Sequence, residues 1–216
     1  MAAPASASDA PRQRILDAAL ELLAEHGYEG MSLAQVADRV GLHKSSLFHH
    51  FRSKEEMARE VYRGLSERLL ERIEPLLAAD PPRLESLIAA LDASVEHFAA
   101  EPAAARLLMR LMVTSGRPEA PPGGPLASPD ERAGVAPVLR SVGAWLTRAR
   151  AAGAIRHVPV RHTVLNLMGL VLFYPAVLHH IPPEMLRAEP DAPDMLEARK
   201  TELRAFLRGA LAPSPR

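Results

Sequence analysis

Two helix-start signatures, at Ser32 and at Ser53, bracket a short stretch that one glycine divides. In Met31-Ser32-Leu33-Ala34-Gln35-Val36 the Ser32 hydroxyl can accept from the backbone three residues on, and the Gln35 side chain can return the bond. Met31 and Val36 flank this capping box as a hydrophobic staple. Ser53 and Glu56 repeat the pattern. Between them, Gly41 can take the left-handed backbone that ends a helix. These signals predict two short helices, about 33–40 and 44–51, joined by a tight turn, and a new helix opening near Lys54.

The rest of the chain reads as helix. Ile15, Ala18, Ala19, Leu22 and Leu23 form one apolar stripe over 10–26, with Asp9 able to cap its start and Gly27 its end. From Lys54 to Ala78 a long helix carries Met57, Val61, Leu65, Leu69, Ile73 and Leu76 on one face, and Pro81 and Pro82 punctuate its end. Further helices are expected over 83–100, 102–115, 138–152, 160–180 with a kink at Pro175, and 193–211 with Pro193 in its first turn. Residues 1–8 read as a disordered tail. The Pro- and Gly-rich 116–137 reads as a mobile loop. No strand-like alternation and no internal repeat is visible. The apolar fraction, 48%, comes mainly from Ala, Leu and Val, with only 4% aromatic residues, a balance that favours helices. The expected fold is all-α with about nine helices. It comprises an N-terminal three-helix helix-turn-helix domain (9–53) and a C-terminal helical domain (54–216), with 54–78 as the connecting helix.

Formal net charge is zero, yet the local balance is not neutral. Arg39, Lys44, Arg52, Lys54, His43, His49 and His50 fall in a stretch without an acid, so a small basic surface can meet phosphate while the whole chain stays neutral. In a helix-turn-helix, Ala37 and Val40 pack against the second short helix, and Leu42 and Leu47 point into the core. The opposite face of that helix enters the major groove. Here that face carries Lys44, Ser45, Ser46, Phe48 and His49. Lysine and serine can contact phosphates or base edges, and Phe48 a thymine methyl.

Residues 14–60 resemble the DNA-binding domain of the TetR family of regulators. The resemblance rests on Ile15, Ala18, Leu22 and Gly27, on Ser32-Leu33-Ala34-Gln35-Val36-Ala37, on Val40-Gly41, and above all on Lys44-Ser45-Ser46-Leu47-Phe48-His49-His50-Phe51 followed by Ser53-Lys54-Glu55-Glu56. It implies a homodimer on a palindromic operator in double-stranded DNA, usually a repressor released by a small-molecule effector. It places Ser32 and Lys54 at phosphate-contact positions and Lys44, Ser45, Ser46, Phe48, His49 and His50 on the reading helix. The chain departs from the family at His43, where a small capping residue is usual, and at Phe48, where tyrosine is usual and a hydroxyl is lost. Four cations per monomer give a salt slope of roughly −3 to −4 per half-site, so useful affinity needs two chains.

In the second domain, His97, Phe98, Met109, Met112, Trp145, Asn166, Met168, Phe173 and Tyr174 are candidate ligand contacts, because they are aromatic, thioether or polar groups in otherwise apolar helices. The resemblance puts the dimer surface on the last two long helices, where Leu165, Met168, Leu172, Val177, Leu196, Leu203 and Leu207 can supply the seam. A ligand-independent DNA binder and an activator are open alternatives. An enzyme is not supported. His157 and His162 do not share a helical face, and His179 and His180 point apart. There is no phosphate loop or nucleophile elbow. With no cysteine, thiolate metal sites are excluded, and neither cofactor nor metal is expected. The first ten residues lack a signal peptide's apolar core. Asn166, Gly169 and Pro175 interrupt the most apolar run, 164–178, which is read as a buried helix and not a membrane span. The expected location is the cytoplasm.

Overall fold

The computed structural model describes residues 9–114, 135–186 and 193–213, and every regular element among them is helical. In chain order these are α1 (Asp9–Gly30), α2 (Leu33–Val40), α3 (Lys44–His50), α4 (Lys54–Leu77), α5 (Leu84–Ala100), α6 (Pro102–Thr114), α7 (Ala136–Ala151), α8 (Val160–Val177), α9 (Pro183–Leu186) and α10 (Pro193–Leu211). The expected tail, 1–8, and all but the end of the expected loop lie outside the described residues. Ala136 and Pro137, assigned to that loop, instead open α7, because proline's preset φ and missing N–H suit a first turn. Pro183, read as a breaker, opens the four-residue α9 for the same reason.

Two compact units are present. The first comprises 9–65 and 110–114. Ile15, Ala19, Leu23, Val36, Leu47, Phe51 and Met57 are wholly buried in it. The Arg12 guanidinium lies 4.8 Å from the Phe51 ring centre and pairs with Glu60. Helix α1 does not stop at Gly27 but kinks there, with φ 72° and ψ 179°, and resumes to Gly30. Only glycine occupies that backbone region readily. Arg110 packs on this kink and donates to the carbonyls of Ala24 and Glu25, each at 3.3 Å, where α1's first segment leaves carbonyls without helical donors.

The second unit comprises 66–109 together with the described residues from 135 onward. Helix α5 packs against α8 and α10, and α7 packs against α8. Phe98, Leu87, Leu107, Trp145 and Leu207 are among its fully buried side chains. Three ion pairs tie α10 to α5 one helical turn or more apart: Lys200–Glu96 at 2.6 Å, Arg204–Asp92 at 2.8 Å and Arg208–Glu85 at 3.0 Å. Arg148 donates to the Leu77 carbonyl at 2.6 Å, closing the end of α4. In α8, Pro175 removes one helical donor, and nearby Arg199 donates to the Leu170 carbonyl at 2.8 Å while stacking 4.7 Å from Tyr174. The helix ends at Val177 and tightens into a 3₁₀ turn over Leu178–His180, where the kinked helix was expected to run on to residue 180.

Helix α8 has 18 residues and, by length and composition alone, is apolar enough to cross a membrane, a test that a packed helix of a globular domain also passes. It is not buried all round: 28% of it is inside the protein. Val164, Leu167, Val171 and Leu172 form its inward row, packed in the second unit, and its other side is open.

Candidate nucleic-acid interface and ligand cavity

The turn between α2 and α3 is built as its residues dictate. Ser32 is extended at φ −129° and ψ 152°. Its hydroxyl accepts from Gln35 N at 3.2 Å, and its own N–H donates to Gln35 Oε1 at 2.7 Å. Gly41 stands at φ 70° and ψ 31°. The N–H of Leu42 reaches the Ala37 carbonyl at 2.9 Å and that of Gly41 reaches Asp38 at 3.2 Å, so the last carbonyls of α2 are satisfied. At the head of α4, Glu56 N donates to Ser53 Oγ at 3.1 Å. The Glu56 carboxylate takes the N–H of Arg52 at 2.8 Å, one residue before the position a capping box uses. His43 occupies the N-cap of α3 and makes no side-chain capping bond.

Leu47 is fully buried and fixes the azimuth of α3. Lys44, Ser45, Phe48 and His49 are then exposed together on the opposite strip, and Ser46 and His50 are half-buried at its edges. Phe48, 45% exposed, is a large apolar side chain held out to solvent. Ala37 is buried as expected, whereas Val40 and Leu42 are only half-buried, because they sit at the turn where the packing surface ends. Ser32 is exposed. Lys54 is half-buried: its Nζ lies 4.4 Å from the Tyr28 ring centre and donates to the Glu29 carbonyl at 3.4 Å. The end of α1 thus receives the cation that a first-turn lysine places against the α4 dipole. Arg39 pairs with Glu25 at 3.3 Å, so folding brings to the basic stretch a carboxylate that its local sequence lacks. Among the described residues no carboxylate pairs with Lys44.

The second unit contains a cavity of about 540 Å³, open mouth included. Leu69 and Ile73 of α4, Leu91, Ser94 and Phe98 of α5, Leu108 of α6, Val138, Leu139 and Val142 of α7, and Val164, Leu167, Met168, Val171 and Leu172 of α8 form its wall, with Val135 at the edge. Of the nine candidate ligand contacts, Phe98 and Met168 lie in this wall. The other seven do not. His97 and Trp145 are buried beside other core groups, and neither His97 Nε2 nor Trp145 Nε1 has a hydrogen-bond partner among the described residues. Burial holds the His97 imidazole below its ordinary pKa; Glu101 opposes this and Arg72 and Arg68 add to it. Tyr174 stacks on Arg199, and burial raises its phenol against the pull of that guanidinium. Met109 and Met112 are half-buried elsewhere on α6, while Asn166 and Phe173 are exposed on α8. The wall is mostly aliphatic, and its leucines and valines look like any core position in the sequence.

The expected dimer seam is also redistributed. Leu172, Leu203 and Leu207 are buried in the chain's own core and Met168 faces the cavity, whereas Val177 and Leu196 are half-buried. Each step along a helix turns about 100°, so neighbours face different ways. The large apolar side chains left outward on α8 and α10 are Leu165, Phe173 and Phe206, at 49%, 58% and 57% exposure.

Residues 15–61 match the family description "Bacterial regulatory proteins, tetR family". The transcriptional repressor KstR2 of Mycobacterium tuberculosis is 36% identical over 93 residues, 42% of this chain and 46% of that protein. The chain thus spans about half the length of the curated relatives it matches. The structure of the ketosteroid transcriptional regulator KstR2 of that organism superposes with a TM-score of 0.70 at 20% identity, covering 94% of this chain and 95% of that one. The Bacillus subtilis regulator FadR in complex with stearoyl-CoA gives 0.64 at 17% identity, covering 88% and 96%. At these identities the structural likeness establishes the fold: an N-terminal helix-turn-helix followed by a helical second domain.

Proposed function

We propose that the chain, whose residues 15–61 match the tetR family of bacterial regulatory proteins, is a cytoplasmic transcriptional repressor of that family that binds a palindromic operator as a homodimer and is released by a small, largely apolar ligand. The observation that carries this reading is the outward strip of α3. Lys44, Ser45, Phe48 and His49 face solvent while Leu47 anchors the helix, an arrangement suited to a major groove and to little else on a neutral chain. Ser32, Ser46, His50 and Lys54 flank that strip as backbone-positioning contacts.

Dimerisation draws support from Leu165, Phe173 and Phe206, which a second copy would cover. Two reading helices would then address half-sites about 34–36 Å apart or a little more. Ligand release draws support from the apolar, open-mouthed cavity of the second unit, walled by aliphatic side chains of α4, α5, α6, α7 and α8. The names of the similar regulators mention a ketosteroid and stearoyl-CoA, each with a large hydrocarbon part. Helix α4 supplies residues to both units and is the element through which occupancy of the cavity would bias the reading heads.

The direct test is selection of duplexes from a randomised pool by the full-length chain, followed by footprinting. The expected product is an inverted repeat protected by two chains. Enrichment of no sequence, or of a single unrepeated half-site bound by one chain, would contradict the proposal.

A further inference from the structure

Resting on the ligand-responsive reading above and narrowing it, we infer that the cavity of the second unit takes a plain saturated hydrocarbon chain, with the ligand's polar head kept outside the wall. The wall offers almost no polar chemistry. Among the described residues Leu108, Val142, Leu167 and Met168 are typical of it, with Phe98 the one aromatic ring and Ser94 the one hydroxyl. That hydroxyl is committed: Ser94 Oγ donates to the Ala90 carbonyl at 2.7 Å. It can still accept, but it has no hydrogen left to give. His97, the polar neighbour of Phe98, does not line the cavity, and among the described residues no lysine or arginine does. A carbonyl, carboxylate or phosphate placed inside would therefore lose its water without finding a donor among the described wall residues. A methylene chain has nothing to lose.

The wall also lacks a stacking platform for a flat ring system, since Phe98 stands alone among aliphatic side chains. Unbranched and branched aliphatic side chains repack around a flexible chain more readily than around a rigid oxygenated one. The enclosed part of the space is small, about 70 Å³, and the empty space reaches about 540 Å³ only when the open mouth is counted.

Calorimetric titration of the full-length chain with a series of straight-chain primary alcohols, from hexanol to dodecanol, tests this. The expected result is a roughly fourfold gain in affinity for each added methylene, the equivalent of ~0.8 kcal/mol per buried CH₂. A ketone inserted at the middle of the decanol chain weakens binding by at least about fivefold. Ser94→Ala leaves decanol affinity within about twofold, because the hydroxyl contributes nothing to the ligand. Val142→Phe, which fills the cavity from α7, abolishes decanol binding; Leu108→Phe does the same from α6 should the first variant fail to fold by circular dichroism. Tighter binding of progesterone than of decanol, or no penalty for the mid-chain ketone, would overturn the hydrocarbon-chain assignment and leave a ligand-responsive regulator standing. If neither the alcohols nor progesterone bind, and none shifts the DNA complex, the ligand-responsive reading falls with it.

Discussion

Gly27 and Gly41 share a positive φ but not their surroundings. A Cβ at Gly41 would meet open space, so Gly41→Ala carries only the left-handed backbone cost, about 1 kcal/mol. At Gly27 the backbone region is more restricted, and the Cβ would stand 3.0 Å from Arg110 Nε. Gly27→Ala is expected to cost more, about 1–3 kcal/mol, because it also disturbs the Arg110 bonds to Ala24 and Glu25. Urea unfolding of the two variants checks this; equal losses would mean that the Arg110 contact is unimportant to the kink. His97 carries a pH signature. Unfolded, its imidazole takes a proton as pH falls through about 6.5. Folded, burial keeps it neutral to lower pH. The unfolded state therefore binds more protons in that window, so His97 drains stability from about pH 6.5 down to its lowered folded value and has no effect above. The fall in urea midpoint between pH 7.5 and pH 5.5 is expected to be smaller in His97→Gln than in the wild type, and an unchanged fall would contradict the buried neutral state.

Helix α8 shows at the element scale what a sequence pattern can and cannot say. Leu172 and Phe173 are neighbours, one 3% and the other 58% exposed. Leu172→Ala is expected to lower the unfolding free energy by about 2–5 kcal/mol. Phe173→Ala is expected to leave chain stability nearly unchanged and to weaken self-association, measured by sedimentation against concentration. The reverse pattern would move the dimer face elsewhere. The helix-turn-helix was legible because its signals are local: Ser32 with Gln35, Gly41, and Ser53 each fix a helix end through bonds to nearby backbone. The faces of α8 were not legible, because an apolar helix with its own core on one side and an open apolar strip on the other shows little periodicity. The cavity was missed for a related reason. Aromatic and polar residues drew attention in the sequence, yet Trp145 fills the core and Asn166 faces solvent, while aliphatic residues such as Val142 and Leu167 line the space. Only the fold decides which leucines surround a void.

On the scale of the whole molecule, the proposed DNA binding by a chain with zero net charge rests on a small surface used twice. With about four cations per half-site, operator affinity in the dimer is expected to fall with salt at a slope of roughly −6 to −8 on logarithmic axes. Lys44 lies on the reading strip itself with no carboxylate partner among the described residues, whereas Arg39 is held by Glu25 and Lys54 by the Glu29 carbonyl and the Tyr28 ring. The most direct measurement is therefore a gel-shift titration of the selected operator with the wild type and with Lys44→Ala, alongside the melting temperature of each. The account predicts at least a tenfold weaker complex, the low end of one lost contact per half-site, at an unchanged melting temperature. Equal affinity of the two proteins would contradict it.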